Sequence, residues 1–235
     1  MNRAFKSVCM LLMVCVGSGA LAMGEDDPLL TMVRIDKLEV APDETRVPQR
    51  LEADAWVGHD LNKLWLKTEL EREGSETESA EMQLLFSRAI SPYWDIQAGW
   101  KRDFQPTPQT DWFALGVQGL APYYFETDAT LFAGSSGRVS LEVDAEYELL
   151  FTQQWILSPE LELTLNGYND EDTGQGSGLS SVEFGLRLRY EIRRELAPYV
   201  GVHWEKTFGN TASFARREGS DTSETQFVVG IKAWF

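Results

Sequence analysis

The stretch RVSLEVDAEYELLF, Arg138 to Phe151, sets Arg138, Ser140, Glu142, Asp144, Glu146 and Glu148 on alternate positions, with Val139, Leu141, Val143, Ala145, Tyr147 and Leu149 between them. An extended chain points successive side chains to opposite faces, so this segment carries one acidic face and one apolar face. A file of carboxylates attracts cations and turns anions away. Carboxylates alone suit hard ions, and a softer metal such as copper needs imidazole or sulfur beside them. Those ligands are scarce. The chain has two histidines, His59 and His203, and after residue 22 its methionines are Met23, Met32 and Met82. His203 alternates in phase with Glu205, Met32 shares a face with Arg34 and Asp36, and His59 lies in a turn, while Met82 falls with Ala80, Leu84 and Phe86 on an apolar face. His203, Met32 and His59 are therefore the candidate metal ligands. A lone histidine among acids is more often part of an ordinary polar network than a ligand.

Other charges share the phase of the acidic face. Glu69, Asp95, Asp103, Glu126, Asp128, Glu162 and Glu183 join Glu142, Asp144, Glu146, Glu148 and Glu205, with Lys63, Lys67, Arg102, Arg138, Arg187 and Arg189 as counter-charges. Two arrangements follow. The charges form a salt-bridged plug, or Glu142, Asp144, Glu146, Glu148 and Glu205 line a cation path. Nucleophilic hydrolysis would need a serine beside a histidine and an orienting polar group. No serine stands two residues from either histidine, so an enzymatic reading, a lipid hydrolase included, is disfavoured.

The elements that position these residues are strands. Leu51, Ala53, Ala55 and Val57 oppose Glu52, Asp54 and Trp56; Val182, Phe184, Leu186, Leu188, Tyr190 and Ile192 oppose Glu183, Arg187, Arg189 and Glu191. Comparable alternation recurs along most of the chain, and helical spacing does not. The connections differ in kind. ISPY (Ile90–Tyr93), LAPY (Leu120–Tyr123), LSPE (Leu157–Glu160) and LAPY (Leu196–Tyr199) read as tight proline turns, as does GHDLN (Gly58–Asn62) without proline. Loops such as EGSETES, QPTPQT, GSSG, NDEDTGQGSG and GNTASFARREGSDTS are longer and polar. Short turns on one rim and long loops on the other describe a barrel in an outer membrane, whose apolar faces meet lipid and whose polar faces line the lumen. Counting strands back from the C-terminus to Leu30 gives twelve. Tyr93, Trp94, Tyr123, Tyr124 and Tyr199 suit an aromatic girdle at the turn rim.

The ends agree. Arg3 and Lys6 precede the apolar run VCMLLMVCV, and Ala20–Ala22 offers a cleavage site, so residues 1–22 read as a cleaved export signal. Cys9 and Cys15 both lie inside it, and Val14 makes a poor lipidation context for Cys15. Residues 23–29 form a short periplasmic segment, and 30–235 the barrel. The formal charge of −16 grows more negative once Arg3 and Lys6 are removed, which excludes nucleic acid as a partner. The ending TQFVVGIKAWF alternates to a terminal Phe235, which resembles the signal that barrel-assembly machinery reads in outer-membrane proteins.

LNKLWLKTELE (Leu61–Glu71), SRAISPYWDIQAGWKRDF (Ser87–Phe104), GVQGLAPYYFETDATLFAG (Gly116–Gly134), GSGLSSVEFGLRLRYEIRRELAPYVGVHWEKTFGNTA (Gly176–Ala212) and the ending VVGIKAWF resemble the copper resistance protein B family. The resemblance runs from about Leu51 to Phe235. It implies an outer-membrane protein of a Gram-negative bacterium that binds copper, Cu(I) or Cu(II), or helps remove it from the periplasm. It also implies a periplasmic copper-binding protein or oxidase as partner. A general cation-selective porin or structural barrel is the alternative. Many members carry a long Met- and His-rich segment before the barrel; here that stretch reads MGEDDPLLTMVRIDKLEV, with Met23 and Met32 and no histidine.

Overall fold

The computed structural model describes residues 27–41, 48–74 and 76–235; the expected export signal and residues 23–26 lie outside them. The strands are β1 (Leu30–Val40), β2 (Pro48–Gly58), β3 (Asn62–Glu73), β4 (Glu76–Ser91), β5 (Trp94–Gln105), β6 (Thr110–Ala121), β7 (Phe125–Gly134), β8 (Val139–Glu146), the two-residue β9 (Leu149–Leu150), β10 (Trp155–Asn166), β11 (Gly178–Tyr190), β12 (Leu196–Thr207) and β13 (Ser223–Trp234). Helix α1 (Gly209–Glu218) lies between the last two. Each long strand pairs antiparallel with the next, β8 with β10, and β13 closes on β1. The result is the expected closed barrel of twelve long strands, with β9 a short addition beside β10.

Alternation decides what each face meets. Leu64, Leu66, Leu84, Phe86, Phe113, Leu115, Leu131, Phe184, Val200, Phe227 and Val229 stand exposed on the outer wall, a continuous apolar band that only lipid can cover. No helix among the described residues is long and apolar enough to cross a membrane, and closed strands need none. The seam closes at the last residue: the Phe235 nitrogen donates to the Val33 carbonyl (2.8 Å), and the Val33 nitrogen donates to the Phe235 carbonyl (3.0 Å). The terminal residue thereby satisfies an edge that would otherwise be open.

Both chain ends of the described barrel lie on the rim of short turns. On the far rim, α1 folds over the lumen. Its Thr211 Oγ1 accepts from the Gly176 nitrogen (2.9 Å) and meets Ser180 Oγ (2.8 Å), while Asn210 Nδ2 donates to Asn169 Oδ1 (2.9 Å). A Cβ at Gly176 would stand 2.2 Å from the Thr211 nitrogen, so this approach requires glycine.

Several local expectations are corrected. Pro92 and Pro122 lie in turns as expected, but Pro159 lies inside β10 and Pro198 inside β12. Proline is tolerated where a ladder partner is missing. Pro159 stands at the gap between the β8 and β9 pairings of β10, and Pro198 just beyond Tyr199, the last β12 residue paired with β11. The segment Arg138–Phe151 is likewise broken, because pairing stops at Glu146 and Leu149 and Leu150 are both exposed. Tyr93, Tyr123 and Tyr124 are exposed at the turn rim, but Tyr199 is only 4% exposed and belongs to the lumen. Its neighbour Val200 faces out, which sends Tyr199 inward, where its hydroxyl donates to Glu39 (3.0 Å).

The Tyr199 ring lies against Gly230 of β13, where an added Cβ would come within 2.5 Å of it. Gly230→Val is expected to displace the ring from Glu39 and to destabilise the barrel by roughly 1–3 kcal/mol. The temperature at which the purified barrel loses its compact mobility on unheated SDS gels should fall; an unchanged temperature would show that the ring moves aside freely.

Candidate functional site

Strand pairing brings together charges that are far apart in sequence. Asp128 of β7 is opposite Asp144 of β8, Asp144 opposite Glu162 of β10, Glu162 opposite Glu183 of β11, Glu183 opposite Glu205 of β12, and Glu205 opposite Glu224 of β13. Side chains directly opposed on neighbouring strands sit about 4.5–5.5 Å apart at Cβ. The row is inclined. Asp128 lies near the short-turn end of β7 and Glu224 at the loop end of β13, so the carboxylates climb the wall from one rim to the other. A second row, Glu52, Glu69, Glu81 and Asp103, crosses β2 to β5.

Like charges directly opposed repel, and bases on neighbouring strands and across the lumen relieve the repulsion. Lys37 of β1 reaches Glu52 (2.8 Å) and Glu160 (2.6 Å); Lys67 reaches Asp128 (2.7 Å); Lys101 reaches Glu81 (2.5 Å) and Glu142 (3.1 Å). Arg50 bonds Glu71 and also Glu183 (3.2 Å). Arg187 donates to Glu39 (2.6 Å) and to Glu160, and Arg189 to Glu148 (2.5 Å). Near the turn rim, Arg34 and Lys232 converge on Asp36 (2.8 and 3.1 Å), and Lys63 stands 3.8 Å from Asp95. Among the described residues, Glu69, Glu126, Asp144, Glu146, Glu162 and Glu205 have no base within ion-pair distance. Asp144 Oδ2 is buried without a hydrogen-bond partner.

Two larger cavities lie in the lumen, beside a small one of about 30 Å³ at Arg187 and Tyr199. One of about 240 Å³ lies toward the short turns and includes Asp128, Asp144 and Glu146 in its walls. The other, about 300 Å³, lies under the loops and α1, with Glu183, Glu205 and Tyr168 in its walls. They share Glu69, Glu81, Phe132, Glu142 and Glu162 at a common waist. One side of the interior is apolar: Trp65, Leu85, Trp112, Ala114 and Phe132 form a buried cluster, with Trp56 and Tyr168 against it. Burial pushes the hydroxyl of Tyr168, in the loop above β10, up to about 12, so it stays protonated and donates to Gln175.

The acids expected to line one path divide. Asp144 and Glu205 lie on the inclined row, but Glu142 is held by Lys101 and Glu148 by Arg189. Arg102 is a correction: it faces outward at the loop rim, bonded twice to Asp111 (2.7 Å each). It is adjacent to inward-facing Asp103, and neighbours on a strand cannot share a face. Asp103 accepts from Trp112 Nε1 (2.6 Å). Arg138 bonds Asp170 of the loop (3.0 Å). Lys37, Arg50, Lys101 and Lys232, absent from the sequence-based set, proved central. Lys37 follows the irregular pairing between Ile35 and Lys37, which shifts the phase of β1 and hides it from an alternation count.

The three candidate ligands do not converge. His59 is exposed on the β2–β3 turn, its Nδ1 3.1 Å from the Asp27 carbonyl. Met32 pairs with Trp56 near the same rim. His203 is 9% exposed, deep in the lumen, its Nε2 3.5 Å from Glu183. It is level with Gln226, whereas β1 meets β13 from Val229 onward, which leaves Met32 and His203 roughly 30 Å apart along the strands. Among the described residues, no group of three His, Cys, Asp or Glu side chains is arranged to hold a metal ion.

Known proteins match this chain at both levels. The family model described as copper resistance protein B precursor matches residues 29–235. Copper resistance protein B of Escherichia coli is 41% identical over 210 residues, covering 89% of this chain and 71% of that protein. The copper resistance protein B homolog of Pseudomonas syringae pv. tomato is 42% identical over 200 residues, covering 85% and 68%. Among solved structures, the NanC porin superposes with a TM-score of 0.57 at 13% identity, covering 87% of this chain and 99% of its own. The KdgM porin superposes at 0.50 and 13%, covering 88% and 99%. These two likenesses speak to the fold alone.

Removing Arg187 would leave Glu39 and Glu160 without their shared guanidinium in a water-poor interior. Arg187→Met is expected to destabilise the barrel by about 3–5 kcal/mol in urea unfolding from lipid vesicles. Arg102→Ala, which breaks only the exposed rim pair with Asp111, should leave the same transition where it was. Equal effects of the two variants would contradict this division between braced lumen and solvated rim.

Proposed function

This chain belongs to the copper resistance protein B family, and from that membership we propose that copper ions are its cargo, bound or moved out of the periplasm along the acidic lumen. The barrel is an outer-membrane protein of a Gram-negative bacterium with a role in copper resistance. One observation carries the finer reading: the inclined carboxylate row from Asp128 to Glu224, in which Asp144, Glu162 and Glu205 stand without a base. Successive sites at strand spacing let a cation enter, exchange and leave, which a single tight site would prevent.

Preference for copper needs a softer ligand than carboxylate. His203 would provide it, a reading supported by its position beside Glu183 in the row and on the same strand face as Glu205. Met32 and His59 offer one ligand each at the turn rim, where a periplasmic copper-binding protein or oxidase would deliver the ion. On this reading the barrel is a conduit with passing cargo and not an enzyme. The density of trans-lumen ion pairs also supports a second reading, a cation-selective or structural barrel without copper preference.

Titrating the purified protein in detergent with Cu(I), Cu(II), Ca²⁺ and Zn²⁺ separates the two. The first reading expects saturable binding that favours copper, reduced by about tenfold or more in His203→Ala. Equal, weak binding of all four ions, or a His203→Ala variant indistinguishable from wild type, would leave only the general barrel.

We also propose that the assembly machinery reads the terminal strand. Deleting Phe235 removes both hydrogen bonds to Val33 and the terminal aromatic. Mature barrel in outer-membrane fractions should drop sharply while synthesis continues. Replacement by Trp should restore it if an aromatic end is what is recognised, whereas rescue by Ala would show that only the seam hydrogen bonds matter.

A further inference from the structure

The two cavities meet at a waist whose walls include Glu81, Glu142 and Phe132. The Lys101 ammonium sits against all three. It lies 2.5 Å from Glu81 of β4, 3.1 Å from Glu142 of β8 and 4.0 Å from Asp103 on its own strand, and 4.5 Å from the centre of the Phe132 ring. Lys101 is 5% exposed. An ammonium held by two carboxylates from different walls and by an aromatic face fills the position that a mobile cation would take there. Its tether of four methylenes distinguishes it from a free ion, because it offsets the charge of Glu81 and Glu142 at a waist that also holds Glu69 and Glu162, and it cannot leave.

We propose that Lys101 is a tethered counter-ion that keeps the waist closed to free cations, and that conduction requires its ammonium to swing away from Glu142. This rests on the reading of the lumen as a cation path and adds to it the residue that controls passage. Lys37, between Glu52 and Glu160, makes a similar bridge, but neither of its carboxylates borders the upper cavity, whereas Glu81 and Glu142, which hold Lys101, border both. A fixed ammonium at the junction of the two cavities would compete with a passing cation such as potassium for Glu81 and Glu142.

The test is single-channel recording in planar bilayers with potassium chloride. Wild type should conduct poorly. Lys101→Met, which keeps most of the volume and removes the charge, should raise conductance about threefold or more and shift the reversal potential in a salt gradient toward potassium. Lys101→Arg should behave as wild type. Should Lys101→Met fail to fold, Lys101→Met with Glu81→Gln leaves fewer unpaired acids and carries the same expectation. Wild-type conductance and reversal potential in a folded charge-removed variant, judged by its gel mobility, would overturn the proposal, as would an open wild type. Potassium is the reporter, so failure of copper preference in the titration would not disturb a positive result here.

Discussion

Repulsion between carboxylates opposed across neighbouring strands is the constraint that organises this molecule. A row running Asp128, Asp144, Glu162, Glu183, Glu205 and Glu224, and another running Glu52, Glu69, Glu81 and Asp103, would each push their strands apart in a closed sheet. The bases that counter this repulsion reach over the lumen. Lys37 on β1 meets Glu160 on β10, Arg50 on β2 meets Glu183 on β11, Lys67 on β3 meets Asp128 on β7, and Lys101 on β5 meets Glu142 on β8. Every one of these pairs ties two separated walls. The charges that threaten the sheet thus brace its cross-section.

The same bracing sets the functional character of the lumen. Ion pairs removed from bulk water need good geometry and further hydrogen bonds to offset desolvation, and the interior supplies these unevenly. Around Glu160, Lys37 and Arg187 the acid is fully engaged. At Asp144, Glu162 and Glu205 it is not, and there a mobile cation would find unclaimed charge. Trp65, Leu85, Trp112 and Phe132 form a buried apolar cluster on one side of the interior. His203, beside Glu183, is the softer donor we propose for such a wall, since carboxylates alone do not distinguish copper from calcium.

Much of this was legible in the linear sequence. Period-two alternation alone settles that the chain forms strands, which faces are apolar, and that acids such as Glu142, Asp144, Glu162, Glu183 and Glu205 point inward. The contrast between short turns and long polar loops determines the two rims and the even strand count, and the long strings shared with the copper resistance protein B family point to the family. These are local properties, each contained within a strand or a turn. Pairing was not contained there. Which acid stands opposite which, whether Lys101 or its neighbour Arg102 enters the lumen, where Pro159 and Pro198 meet a gap in the ladder, and how the irregularity at Asp36 turns Lys37 inward all depend on register. Register and closure are relations between segments tens of residues apart, fixed only when hydrogen bonds align the strands and the sheet joins β13 to β1. A row of carboxylates climbing the wall exists only after that alignment, so tertiary structure alone could reveal it.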